Sequence, residues 1–364
     1  MDGLPNRAAA TRRQRPPPLA VPALRALALG LGAALAAQGG SAQGLVRGEV
    51  IAVGSGARVA YATVELQPLF GPRFADAAGR FAFAPVPPGR YHLMVRQIGH
   101  VPYAAPLEVG DSGINIQVGL APLFVQLPPV TVTGRAACTS PGPPDPGREP
   151  ELAALFDQLR ENAARFRVLS DAYPFRYWVE RVVEDVDSNR ALAPVSVDTL
   201  QYLSTEHTDY RPGRVVHTVR GPRGYERSMR LPSLADLANN AFHRTHCFAF
   251  AGIDTIGELR LIRLAFRVAD RLRSPDVDGT AFLDEETRVL YRLSLTLTRA
   301  ERAARGVRSV TAEAFFGELL PTLVVPARVE GTTELQERGG RVGQVERQRL
   351  VGVEFISAAP PGRQ

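Results

Sequence analysis

Apolar positions recur at every second residue through most of this chain, the spacing of strands with one buried face. Val46, Gly48 and Val50 alternate with Arg47 and Glu49, and Ala62, Val64 and Leu66 share a second face. The turn Asp76-Ala77-Ala78-Gly79 leads into Phe81 and Phe83, with Gly79 supplying the positive φ that ends it. Pro87-Pro88-Gly89 makes a rigid turn into Tyr91, Leu93 and Val95; Ile114, Ile116 and Val118 suggest a further strand, and 130–134 a last one. About seven short strands over 44–134, without a helical stretch, predict a β-sandwich.

The period changes at Pro150. Leu152, Leu155, Phe156, Leu159, Ala163 and Phe166 lie on one helical stripe, with Glu149 and Glu151 at the positive end of the dipole. Alternation then returns with Phe175, Tyr177 and Val179, followed by strands near 200–205 and 214–219. A short helix is expected over 233–242, with Leu234, Leu237, Ala238 and Ala241 inward. Strand patterns follow near 246–251, 258–267, 279–284, 288–298, 307–316, 322–333 and 341–356. Residues 151–356 therefore read as an α+β domain with a long antiparallel meander, and the chain as mainly β. Residues 135–150 form a linker, since the run Thr139-Ser140-Pro141-Gly142-Pro143-Pro144 holds neither helix nor central strand.

Composition adds a destination. A chain of 364 residues has room for two domains and a leader. Arg7, Arg12, Arg13 and Arg15 precede an apolar core at 26–37, and Gly40-Ser41-Ala42 places small residues before Gln43. Residues 1–42 are thus expected to be a signal peptide, and the protein periplasmic or outer-membrane associated. No later stretch is apolar enough to span a membrane, so no transmembrane segment is expected in the mature chain. All 43 basic residues are arginine. Five of them, with one aspartate, lie in 1–42, leaving 38 basic against 36 acidic groups beyond it. That balance gives phosphate little attraction, so nucleic acid is not an expected partner. In an oxidising compartment Cys138 and Cys247 are expected to form a disulfide; two buried thiols are the alternative.

The layout from Gly48 through the Asp76–Gly79 and Pro87–Gly89 turns resembles the carboxypeptidase regulatory-like domain, over 44–134. That resemblance implies a prealbumin-like β-sandwich that binds, spaces or docks and does not catalyse. The later meander, with Gly279-Thr280-Ala281-Phe282-Leu283-Asp284 entering a paired strand, resembles the half-open barrel of periplasmic lipoprotein carriers over about 100 residues.

Candidate chemistry fails residue by residue. His243, His246 and Cys247 offer two imidazoles and a thiolate to a metal, but no fourth ligand is evident and a disulfide would consume Cys247. Asp276-Val277-Asp278-Gly279 lacks the calcium-loop spacing, with Thr287 where an acid is required, and reads as a solvated turn. Gly54-Ser55-Gly56 is not a nucleophile elbow. No catalytic residue, metal or cofactor is expected. Among Tyr173, Phe175, Tyr177 and Trp178, alternation sends Trp178 to the face opposite Phe175 and Tyr177, so one face is core and the other is a candidate surface.

The leading expectation is a non-catalytic envelope protein that binds a partner protein or polysaccharide. A periplasmic carrier or sensor of an apolar ligand is the alternative, and a hydrolase the third reading. The candidate binding surface comprises Phe282, Tyr291, Leu293, Leu295 and Trp178, closed by the helix bearing Leu155 and Phe156. An open apolar concave face would favour the carrier, and a filled interior the interaction module.

Overall fold

The first strands follow the alternation. A computed structural model describes residues 44–127, 137–187, 190–206, 209–221, 224–230, 232–337, 340–357 and 359–360. The leader at 1–42, its boundary at Gln43 and the strand expected at 130–134 lie outside them. The N-terminal strands are β1 (Gly44–Ala52), β2 (Thr63–Gln67), β3 (Phe70–Phe74), β4 (Arg80–Val86), β5 (Gly89–Arg96), β6 (Tyr103–Val109) and β7 (Ile114–Leu120). They form two sheets, ordered β4-β1-β7 and β3-β2-β5-β6. Between the sheets Val46, Val50, Val64, Leu66, Phe83, Leu93 and Val118 are buried. Each such side chain contributes about 1.5–3 kcal/mol on burial. The pattern of apolar residues did not predict β3 and β6. Both are edge strands, and each carries a proline (Pro72 and Pro106) that an edge tolerates.

The second part opens with α1 (Pro150–Ala172), β8 (Phe175–Asp187), β9 (Arg190–Leu203) and the hairpin β10 (Val216–Gly221) and β11 (Gly224–Met229). A 3₁₀ turn at Leu234–Ala238 precedes α2 (Asn240–His243). Then come β12 (His246–Ile256), β13 (Leu259–Val268), β14 (Val277–Asp284), β15 (Leu290–Leu297), α3 (Ala300–Ala303), β16 (Val307–Leu320), β17 (Leu323–Glu337) and β18 (Gly340–Phe355). The single helix expected over 233–242 is two pieces. Asn239 takes an extended conformation, φ −79° and ψ 128°, and its side chain accepts from the Ala241 amide to cap the second piece.

Nine strands form one antiparallel sheet, ordered β12-β13-β14-β15-β16-β17-β18-β8-β9. Sequential hairpins account for the run from β12 to β18. The early β8–β9 hairpin then adds beside the last strand, which widens the sheet beyond what α1 can cover. Among the described residues, no helix is long and apolar enough to cross a membrane.

The sandwich is docked onto this sheet through α1. Tyr61 and Phe74 join an apolar cluster with Leu169, Phe175, Leu320, Leu323 and Val325. Gln158 of α1 accepts from the Gly99 amide at 2.7 Å. Arg165, 1% exposed, donates to the Tyr61 carbonyl, the Thr63 hydroxyl and both oxygens of Thr322. The connecting segment is tied down too. Cys138 is disulfide-bonded to Cys247 on β12, with Cα atoms 5.7 Å apart. The Cys138 amide donates to Asp270, and the Gly142 amide to the His246 carbonyl.

Candidate ligand cleft

The concave face of the nine-stranded sheet is best read row by row, because registered neighbours share a face. One row runs Phe250, Leu264, Ala281, Leu293, Ala314, Val329, Gln348, Arg181 and Asp198, from β12 to β9. The next runs Phe248, Phe266, Gly279, Leu295, Ala312, Gly331, Glu346 and Val183. Each row starts large and apolar, turns small in the middle and becomes polar at β18; the first stays polar on β8 and β9, while the second returns to an apolar residue, Val183, on β8.

The large end is covered. Leu152, Leu155 and Leu159 of α1 pack with Leu234, Leu237 and Phe242 over Ile262, Leu264 and Phe266. Phe156 stands edge-on to Phe248, with ring centres 4.6 Å apart. Past β15 that cover ends. Ala312, Ala314 and Gly331 are too small to fill the curve of the sheet, and a cavity of about 790 Å³ remains. Its walls include Val310, Ala314, Phe316, Val329 and Leu350, all only half-buried. Phe166, Tyr177, Tyr202, Met229 and Leu234 line it as well. The Tyr177 and Tyr202 rings stack 5.4 Å apart. Burial, and then the neighbouring Tyr202, push the Tyr177 hydroxyl pKa up.

Among these apolar walls lies an ion-paired guanidinium. Arg181 donates from Nε and Nη2 to the two carboxylate oxygens of Glu346, at 2.8 and 2.9 Å. Gln348 Nε2 adds a third bond to Glu346 at 2.7 Å, and Asp198 lies 3.7 Å from Arg181 Nη1. Burial raises the Glu346 pKa, but the donors from Arg181 and Gln348 outweigh it and hold the carboxyl below its ordinary value.

The expected binding surface is divided by the sheet. Leu293 and Leu295 face the cavity. Phe282 and Tyr291 are on the opposite face. Phe282 pairs with Arg292 and Leu283 with Leu290, so Tyr291 is an extra residue at a bulge and the alternation breaks there. Tyr291 meets Phe315 edge-on, and Phe282 lies beneath the Arg292 guanidinium at 3.9 Å. Trp178 also stands outside the cavity, against Gly352, while its neighbours Phe175 and Tyr177 line it. The cleft residues that the sequence did not single out include Arg181, Glu346, Ala312, Ala314, Gly331, Phe316 and Val329. Ala312, Ala314 and Gly331 are small, but only strand register brings them together on one face.

The other candidates are structural. Each His246 ring nitrogen meets a backbone carbonyl, at 2.8 Å from Phe242 and 3.0 Å from Val277, and His243 Nε2 meets that of Leu237. Neither ring is arranged as a ligand beside the oxidised Cys247. Asp276 is not in a solvated turn. It is fully buried and accepts from the Tyr210 hydroxyl and the Gly213 and Val277 amides, at 2.7, 2.7 and 2.8 Å. Asp236 is satisfied in the same way by Tyr210, Ser233 and Arg230.

A family model for the carboxypeptidase regulatory-like domain matches residues 45–120. No curated protein matches the chain. Among solved structures the chain is similar to a LolA superfamily protein from Nitrosomonas europaea, at 13% identity and a TM-score of 0.29, covering 56% of this chain and 94% of that one. It is similar to a DUF1329 family protein from Desulfovibrio piger, at 10% identity and a TM-score of 0.31, over 56% and 94% of the two chains. A chain of the Pseudomonas aeruginosa MucA/MucB complex aligns at 12% identity and a TM-score of 0.20, over 57% and 100%.

Proposed function

We propose that this is a non-catalytic, exported binding protein that takes an apolar chain into the cleft between α1 and the curved sheet. The observation that carries the reading is the cavity of about 790 Å³ walled by half-buried aliphatic side chains. A concave site of this size and polarity is the usual form of a small-ligand pocket. An interior filled by side chains would instead have favoured an interaction module. The Cys138–Cys247 disulfide supports an oxidising, extracytoplasmic location. The sandwich, held against α1, would present the cleft to an envelope partner rather than contribute to it. The buried carboxylates Asp236 and Asp276 already have their donors and offer no acid or base to a substrate.

The test is saturable binding of the fluorescent apolar probe N-phenyl-1-naphthylamine to the mature chain. Gly331→Leu should abolish it while leaving the fold intact. A Cβ on Gly331 meets nothing nearer than 3.9 Å, and Gly331 has no positive φ, so the added side chain is free to fill the cavity. Ala314→Phe should act in the same sense. Absence of saturable binding in the unmodified chain would overturn the proposal.

A further inference from the structure

We infer that the cleft's ligand is an amphiphile whose head is not anionic and donates hydrogen bonds, such as a hydroxylated or ammonium head. The inference rests on the cleft reading above and adds the chemistry of the ligand's polar end. Among the described residues, the charged side chains that line the cavity are Arg181, Glu206, Arg328 and Glu346. Arg328 does not face inward: its guanidinium stacks on Phe315, 4.1 Å from the ring centre, in the outer row that pairs Phe315 with Arg292 and Arg292 with Phe282. Arg181 is therefore the cation left at the floor, and its charge is already met by two carboxylates. Nε and Nη2 serve Glu346, and Nη1 faces Asp198.

A phosphate or sulfate arriving here would meet a guanidinium whose charge two carboxylates already offset, and would sit beside both of them in a half-enclosed space. A donating head meets the opposite situation. Among the described residues, Glu346 Oε2 accepts a bond from Arg181 alone, and a carboxylate oxygen has capacity for two. The Asp198 carboxylate lies just beyond. In the row of Glu346, an apolar tail running along Gly331, Ala312 and Leu295 would place the head at Glu346.

Three amphiphiles with one tail length separate the outcomes: 1-monodecanoylglycerol, decylammonium and decyl phosphate. Each is titrated below its micelle concentration against bound N-phenyl-1-naphthylamine. The glycerol and ammonium compounds should displace the probe at least tenfold more tightly than the phosphate. Glu346→Gln should narrow that ratio severalfold. Equal or tighter binding of decyl phosphate to the unmodified chain would overturn the inference and leave the apolar cleft standing. Binding of the probe without displacement by any of the three would also overturn it. If the probe itself does not bind, the cleft reading falls and this inference with it. The ranking in the unmodified chain decides the matter even if Glu346→Gln does not fold.

Discussion

Arg165 Nη2 donates to the carbonyl oxygen of Tyr61 at 2.8 Å, so a guanidinium on the helix of the second part reads the backbone of the sandwich. The same nitrogen reaches Thr322 Oγ1 at 2.9 Å, on the turn between β16 and β17. Both Tyr61 and Thr322 are non-glycine residues with positive φ, at 54° and 61°, an uncommon conformation. Burial pulls the Arg165 pKa down to about 10, with Glu161 opposing, so the group remains charged at neutral pH.

Arg165→Ala should therefore destabilise the protein by about 2–4 kcal/mol, through a cavity and the buried acceptors left unpaired. The loss should appear as a lower denaturant midpoint, with earlier proteolytic separation of the sandwich from the rest. A midpoint equal to that of the unmodified chain would show that the clamp contributes nothing.

The disulfide joins positions separated by 109 residues. Closing a loop of that length stabilises by about 4–5 kcal/mol in the chain-entropy model. Non-reducing peptide mapping should find Cys138 linked to Cys247. The double variant Cys138→Ser, Cys247→Ser should melt at lower temperature than the oxidised protein, and reductant should lower only the latter.

At the Asp76 turn, Gly79 has φ +72°, and a Cβ there would lie 2.7 Å from the Val50 carbonyl oxygen. Gly79→Val should cost at least about 1 kcal/mol, from backbone strain alone. Equilibrium unfolding measures it, and an unchanged stability would refute the turn geometry.

Asp76 and Glu346 are among the carboxylates that contribute to acid sensitivity. Burial raises the pKa of Asp76, but the Arg80 and Ala78 amides and the Arg80 guanidinium outweigh it, so Asp76, like Glu346, sits below its ordinary value. A depressed folded pKa contributes stability that is fully present above the unfolded value and lost as pH falls through the folded one. Thermal midpoints should be flat with respect to these groups above about pH 5 and fall below about pH 4. Asp76→Asn and Glu346→Gln should each make that fall shallower. Identical slopes would mean that neither carboxylate is coupled to folding.

Period-two alternation was enough to identify the sandwich and the order of the late strands, and the change to a helical stripe identified the helix at Pro150, because each depends on residues close in sequence. The pairing of the two cysteines followed from their number and the expected export. What alternation could not carry was the bulge at Tyr291. One extra residue moves Tyr291 to the outer face while Leu290 and Leu293 both stay in the core. The cleft was equally hidden. Ala312 and Gly331 read as ordinary strand residues, and only strand register puts them side by side, facing Leu295 and Glu346. A cavity is space that no side chain fills, so it depends on where α1 stops over the sheet rather than on any residue's own preference. The Arg165 clamp has the same origin: its acceptors lie 104 and 157 positions away. Local propensity chose the strands and the helix, and long-range packing decided which faces they cover and which they leave open.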